Sequence, residues 1–181
     1  MIEEGYGILA MFIVLLIHMI YSAIKRKSIR RSVLISVFIV YISIVILITF
    51  FPIVYSHDVY TQFGTLESAL QLTPFKTIHY MIRYTSRNMI FAQVGGNIIM
   101  TIPFGIMLPL ILKKRKAALL ILYAAAFPVC IELLQLLLGF LFGTYYRKTD
   151  VDDVILNFTG IILGYAIYFG LSLIYRKVRK K

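Results

Sequence analysis

Five long apolar runs dominate this chain and leave few ways to fold it. A run of about 20 apolar residues is the length of α-helix that crosses the hydrocarbon core of a bilayer. Of the 181 residues, 60% are hydrophobic, against roughly 45–50% in a typical soluble domain. The sequence therefore predicts an all-α polytopic membrane helix bundle that forms a single integral membrane domain over residues 1–181. The predicted spans cover about 5–24, 32–52, 89–112, 117–140 and 153–175.

The basic residues predict the orientation of the bundle. Most of the 19 lysines and arginines lie in residues 25–31, 113–116 and 176–181, which five spans would place on one side of the membrane. The positive-inside rule then puts the C-terminus in the cytoplasm and the N-terminus outside. The net charge of +11 is therefore interpreted as topology anchors that touch anionic lipid, and no nucleic-acid partner is predicted.

One acidic residue, Glu132, lies inside a predicted span, whereas the other seven lie at or beyond the outer boundary. At 1.5 Å per residue, Glu132 sits roughly 12 Å below that boundary in the fourth span. An ionisable group at such a depth is costly and is by default a candidate for a functional site. Gln135 follows three residues later, so its side chain shares a helical face with Glu132.

Three of the eight acidic residues stand in one stretch, RKTDVDDVILN at 147–157, where the fifth span begins. Asp150, Asp153 and Asn157 are spaced by three and four residues, which places them on one stripe of a helix that begins early. Asn97 lies roughly 14 Å inside the third span. Because polar groups that face lipid are heavily penalised, we expect the polar side chains of these three helices to converge in the outer half of the membrane.

These polar residues also have a purely structural interpretation. Asp152 or Asp153 would cap the fifth helix and interact favourably with the positive end of its dipole, and Asp152 is the better candidate for such a cap. Asn97, Gln135 and Asn157 would then form hydrogen bonds between helices.

Small residues in two spans predict close packing of helices. Gly160 and Gly164 form a GxxxG motif, which lets another backbone approach closely. Gly95 and Gly96, directly before Asn97, predict the same for the third span.

The outer loop, about residues 53–88, contains LTPFK at 72–76 and then an amphipathic pattern. Lys76, Arg83 and Arg87 are spaced to share one face of a helix, which predicts an interfacial segment with a basic stripe. That stripe would meet lipid phosphates or an anionic ligand, or would simply extend to the headgroups. The histidines lack metal-ligand spacing, so neither a metal nor a cofactor is predicted.

Four blocks, in this order, resemble the VanZ-like membrane proteins. They are LTPFK (72–76), GNIIMTIPFG (96–105), IELLQ (131–135) and RKTDVDDVILNFTGIILGY (147–165). Together they cover about half of the chain, which defines a VanZ-like core at about 72–165. The first two spans match only as generic helices.

The resemblance implies a multi-pass protein of the bacterial cell membrane that lowers susceptibility to teicoplanin, a lipid-tailed glycopeptide, without remaking the peptidoglycan precursor. It supplies no reaction. The positions that the family pattern marks are Asn97, Pro103, Gly105, Glu132, Gln135, Asp150, Asp153, Asn157 and Gly160.

Three classes of function remain open at this point. The first is an outward-facing polar site that binds membrane lipid, a lipid-linked cell-wall precursor or a lipoglycopeptide antibiotic. The second is an intramembrane enzyme, with catalytic candidates Glu132, Asp150 and Asp153. The third is a lipid transporter or flippase. The candidate ligand-binding residues are Lys76, Asn97, Glu132, Gln135, Arg147, Asp150, Asp153 and Asn157.

Overall fold

A computed structural model describes residues 3–53, 66–112, 116–142 and 147–179. The helices in it are α1 (Glu4–Ile24), α2 (Ile29–Phe50), α3 (Leu66–Ala69), α4 (Lys76–Tyr84), α5 (Arg87–Ile90), α6 (Gly96–Ile111), α7 (Ala117–Phe142) and α8 (Val151–Arg179). A π-helical turn, Phe91–Gly95, joins α5 to α6, and two short strands are β1 (Leu70–Gln71) and β2 (Thr149–Asp150).

Five helical segments of the described chain are long and apolar enough to cross a membrane, and they confirm the five predicted spans. They are Glu4–Ile24, Ile29–Phe50, Arg87–Ile111, Ala117–Phe142 and Val151–Arg179. The third is continuous through α5, the π-helical turn and α6. The all-α bundle class is therefore confirmed, while the direction of the two termini stays a prediction. Several residues behind that prediction, Lys113, Lys114, Arg115, Lys180 and Lys181, lie outside the described residues.

The chain divides into two compact units, of which the first comprises residues 1–64 and 138–146. In it, α1 and α2 run antiparallel, so that the start of α1 meets the end of α2. A Cβ at Gly7 would lie 2.4 Å from Leu47 Cδ2, and the His18 ring lies 3.3 Å from the carbonyl oxygen of Ser32. Their outward side chains are mostly apolar and exposed, as lipid contact requires.

The second unit comprises residues 65–137 and 147–181, and its centre is the packing of α6 against α8. A Cβ at Gly164 would lie 2.2 Å from the carbonyl oxygen of Ile102, and one at Gly105 would lie 2.2 Å from that of Ile161. Only glycine fits at such a distance. The GxxxG motif therefore packs closely as predicted, with Gly105 of α6 facing it.

Two further contacts hold α7 to this pair. The Tyr165 hydroxyl of α8 donates to the carbonyl oxygen of Leu120 at 3.0 Å. The rings of Phe104 and Phe127 stack with centroids 4.1 Å apart. The first contact gives a polar hydroxyl a partner that lipid would not supply, and the second packs two aromatic rings together.

The second glycine pair does not behave as predicted. A Cβ at Gly96 would meet nothing within 4 Å, and one at Gly95 would meet only the Phe91 side chain of its own helical segment. The prediction was wrong because these glycines lie at the π-helical turn, before α6 reaches α8. Whether the two units form the single membrane domain expected from the sequence stays a prediction.

Candidate ligand-binding cleft

The segment before α4 is tied to the segment before α8 by a small parallel sheet. Leu70 pairs with Thr149, and Gln71 pairs with Asp150. The turn that follows is held by the Gln71 side chain, whose Oε1 accepts from the Thr73 backbone N–H at 3.0 Å. Strands of two residues leave no readable alternation, so the sequence did not predict them. Their pairing brings LTPFK next to the aspartates at the start of α8.

Asp152 caps α4, not α8. Its fully buried carboxylate accepts from the Phe75 backbone N–H and from the Ile78 backbone N–H at 3.0 Å. Phe75, the residue before α4, adopts a left-handed conformation with φ of 62°. The prediction that Asp152 caps its own helix was wrong, because a donor pair from another element outcompetes the local one.

The residue that does cap α8 is Asp150. Its Oδ1 accepts from the Asp152 backbone N–H at 2.9 Å, which is the usual geometry of an N-cap. Its Oδ2 accepts from the Thr77 hydroxyl at 2.5 Å. Because α8 begins at Val151, Asp150 precedes the helix and does not belong to the expected stripe. Its carboxylate instead joins α4 to α8.

Glu132 supports this junction from beneath. It is 4% exposed, and its Oε2 accepts from the Asp150 backbone N–H at 2.9 Å. The carbonyl oxygen of Glu132 lies 3.4 Å from the Thr149 hydroxyl. The deep carboxylate of α7 thus holds β2 in place, which is a positioning role.

Asp153 is joined to α6 as the sequence led us to expect. The Asn97 side-chain amide donates to Asp153 Oδ1 at 2.6 Å. One turn deeper, the fully buried Thr101 hydroxyl lies 2.9 Å from the carbonyl oxygen of Asn157. Asn157 is 2% exposed, and its Oδ1 has no hydrogen-bond partner within the part of the chain that the structure describes. The structure therefore brings together Asn97, Glu132, Asp150, Asp153 and Asn157.

Above these contacts lies a cleft of about 830 Å³. Its walls carry three acidic and three basic side chains, several uncharged polar ones and four apolar or aromatic ones. The lining residues are Glu67, Leu70, Gln71, Lys76, Thr77, Tyr80, Met81, Thr85, Met89, Gln93, Gln135, Arg147, Lys148, Asp150 and Asp153.

The predicted ligand-binding residues fall into two groups around this cleft. Lys76, Gln135, Arg147, Asp150 and Asp153 line it. Asn97, Glu132 and Asn157 lie behind it. Among these three, Asn97 and Glu132 hold lining residues by the hydrogen bonds given above. Asn97 and Glu132 therefore position residues of the first group.

Several lining residues were missed by the sequence analysis. Lys148 lies in the stretch RKTDVDDVILN, where only Arg147 was predicted among the basic residues. Gln93 lies in the π-helical turn, and such turns recur at functional sites, although hydropathy does not reveal them. Thr77 and Gln71 carry no signal in the sequence, because their positions depend on hydrogen bonds with Asp150 and Thr73.

The predicted basic stripe is also corrected. The helix that begins at Lys76 ends at Tyr84, and Ser86 caps a new helix by accepting from the Met89 backbone N–H at 3.4 Å. Arg87 therefore belongs to α5 and does not share a face with Lys76 and Arg83. Of the three, only Lys76 lines the cleft.

The described residues contain no group of three or more His, Cys, Asp or Glu side chains arranged to hold a metal ion. The carboxylates nearest one another are engaged by backbone and hydroxyl donors instead. The side chains around the cleft can form hydrogen bonds and recognise charge.

Comparison with known proteins gives one match. Residues 38–175 match the family model of VanZ/LLP1, a segment that runs from within α2 to within α8 and takes in more than half of the chain. No curated protein and no solved structure matches significantly.

Proposed function

We propose that this chain, which belongs to the VanZ/LLP1 family, binds the polar end of an amphiphile in the cleft at the N-terminal end of α8. It is a multi-pass membrane protein, and the proposal places it in the bacterial plasma membrane with the cleft facing outward. The observation that carries the proposal is the cleft itself, where charged side chains of both signs lie above apolar helices. Its volume of about 830 Å³ is within the range of about 300–1,000 Å³ that small-molecule sites occupy.

The walls of the cleft suit a molecule that is polar at one end and apolar at the other. Leu70, Met81 and Met89 offer apolar surface, and Tyr80 offers an aromatic ring with a hydroxyl. Charged and amide side chains offer the hydrogen bonds that orient a ligand. An acyl or isoprenoid chain would leave the cleft toward lipid, which spares it transfer into water.

The resemblance to the VanZ-like proteins implies reduced susceptibility to teicoplanin as the role in the cell. Two ligands would produce it. The cleft would hold a lipid-linked cell-wall precursor, the target of the drug, or it would hold the lipid-tailed drug itself. In both cases binding alone reduces the access of the drug to its target.

The positions of the carboxylates favour binding over catalysis. Glu132 does not line the cleft, so it is poorly placed to remove a proton from a molecule bound there. Both carboxylate oxygens of Asp150 accept hydrogen bonds within the protein. Of the three catalytic candidates, Asp153 alone combines a place on the wall with an oxygen that faces no described donor.

A matched pair of charge reversals on α4 tests the proposal. Lys76 lines the cleft, whereas Arg83 is exposed on the same helix and does not line it. In a susceptible host, Lys76→Glu should lose protection against teicoplanin, and Arg83→Glu should protect as the wild type does. Equal amounts of protein in the membrane fraction are the control. If the wild type protects and both variants protect equally, the cleft is not the site of the effect.

A further inference from the structure

We propose that the cleft selects an amphiphile that carries a phosphate and a primary ammonium on the same molecule. Lys76 and Lys148 would bind the phosphate, and Asp153 would bind the ammonium. This inference rests on the proposed function, because it specifies the ligand of the same cleft.

The basic side of the cleft comes from two segments that the fold draws together. Lys76 is the first residue of α4, and Lys148 directly precedes β2. The hydrogen bond between Thr77 and Asp150 and the pairing of β1 with β2 fix these segments side by side. Arg147 lines the same cleft. Two exposed ammonium groups on adjoining segments form a site for an anion with several oxygens, such as a phosphate.

The backbone N–H groups at the start of α4 that Asp152 occupies are not available to bind that anion. A helix N-terminus ordinarily attracts a phosphate through its free N–H groups. Here the Asp152 carboxylate already accepts from Phe75 and Ile78 and adds a negative charge at that end. Binding of the phosphate therefore depends on the lysine side chains, so substituting them tests the proposal.

The acidic side of the cleft is centred on Asp153. Asn97 donates to its Oδ1, while the described residues supply no donor to its Oδ2. Asp153 is half-buried and lines the cleft together with Gln93 and Gln135. A carboxylate oxygen without a donor, held rigidly by Asn97, is best satisfied by a ligand that brings N–H donors and positive charge.

An ammonium should be preferred over a hydroxyl or a quaternary amine. A charge-assisted hydrogen bond is roughly twice as strong as a neutral one, and a quaternary amine has no N–H to donate. Two kinds of envelope molecule carry the required pair of groups. One is an aminophospholipid, and the other is a lipid-linked cell-wall precursor with a free amine on its peptide.

Binding measurements with short-chain lipids test the selection. The full chain is purified in a maltoside detergent and titrated with dihexanoyl phosphatidylethanolamine, phosphatidylglycerol and phosphatidylcholine, with bound lipid counted by native mass spectrometry. The wild type should bind the ethanolamine lipid about tenfold more tightly than the glycerol lipid, as expected for one additional charge-assisted hydrogen bond. A competition arm with purified lipid-linked precursor, with and without acetylation of its amine, distinguishes the two sources.

Two variants separate the two halves of the site. Asp153→Asn retains an oxygen that can accept from Asn97 but removes the charge, so it should remove the preference for ethanolamine while glycerol-lipid binding persists. The double variant Lys76→Gln, Lys148→Gln should weaken the binding of all three phospholipids. It should leave unchanged the binding of dihexanoyl glycerol, which lacks a phosphate. Arg83→Gln is the matched control, and thermal melting confirms that each variant is folded.

The results distinguish this inference from the proposed function. If the wild type binds all three phospholipids equally and Asp153→Asn changes nothing, the selection is wrong, although amphiphile binding stands. If neither lipid, precursor nor teicoplanin binds to the folded wild type, the proposed function is wrong as well.

Discussion

Two consecutive stretches of α8 meet the same neighbour, α6, with opposite chemistry. In the first, which we call the polar contact, Asp153 accepts from Asn97, and the carbonyl oxygen of Asn157 accepts from Thr101. In the second, the glycine contact, three glycines bring the backbones together. The members of the glycine contact are Gly105, Gly160 and Gly164.

The difference shows that one part of α8 sets its separation from α6, while another part places a side chain at the wall of the cleft. Helices in lipid gain little from the hydrophobic effect against one another, so close packing of small residues sets their separation. Hydrogen bonds between side chains then form where the separation allows them. The glycine contact therefore determines the distance, and the polar contact uses that distance to hold Asp153 at the wall of the cleft.

The largest expected effect comes from adding one methyl group to the glycine contact. A Cβ at Gly164 would lie 2.2 Å from the Ile102 carbonyl oxygen and 2.8 Å from Gly105 Cα, and backbone cannot move aside cheaply. Gly164→Ala should destabilise the fold by about 1–3 kcal/mol or more. The measurement is thermal unfolding in detergent. On the same helix, Gly170 has nothing within 4 Å, so Gly170→Ala is the matched control and should melt no lower than the wild type. Equal melting of the two variants would contradict the close approach of α6 and α8.

The next effect concerns the buried carboxylate of Asp152, which connects the start of α8 to the start of α4. Asp152→Ala removes the cap of α4 and leaves two of its backbone donors without their acceptor, at a cost of about 0.5–2 kcal/mol, the usual cost of losing a helix cap. We expect faster amide hydrogen exchange across residues 75–84, with α1 and α2 unchanged. Glu67→Ala removes an exposed carboxylate from the wall of the cleft and should leave that exchange unaltered. Wild-type protection in Asp152→Ala would show that α4 does not depend on this cap.

The smallest effect should come from the polar contact itself. Thr101→Val removes a buried hydroxyl that bonds to α8 and replaces it with a methyl group of similar size. Hydrogen bonds between membrane helices average about 0.6 kcal/mol, so a shift of that order in unfolding free energy is expected. In Thr159→Val the lost hydroxyl has, among the residues that the structure describes, its bond to Ile155 of its own helix and no other, and that variant should shift less. A larger loss in Thr159→Val would reverse the comparison.

The sequence was sufficient for features that depend on one helix or on cost in lipid. Apolar length gave the five spans, and the penalty on polar groups in lipid gave the meeting of Asn97 with Asp153. It failed for the residues at the start of α8 whose partners are backbone N–H groups. No sequence feature near Asp152 indicates that its carboxylate accepts from the backbone of Phe75 and Ile78. The N-cap of α8, which the sequence assigned to Asp152, is Asp150.

Burial by itself does not distinguish a ligand-binding role of Glu132 from a structural one. Depth in the membrane marked Glu132 as a candidate to touch a ligand, yet the same depth places it beneath Asp150. A costly buried carboxylate is explained equally well by a backbone donor that needs it. That donor, the Asp150 backbone N–H, belongs to β2. Because β2 is only two residues long, no sequence pattern reveals it.

Photolabelling tests most directly whether the cleft is the amphiphile site. The full chain in detergent is incubated with a phosphatidylethanolamine that carries a diazirine in its headgroup, irradiated and mapped by peptide mass spectrometry. We predict that label concentrates within residues 67–93 and 147–153, and that Lys76→Glu reduces it whereas Arg83→Glu does not. Label confined to α1 and α2, or unchanged in Lys76→Glu, would contradict the account.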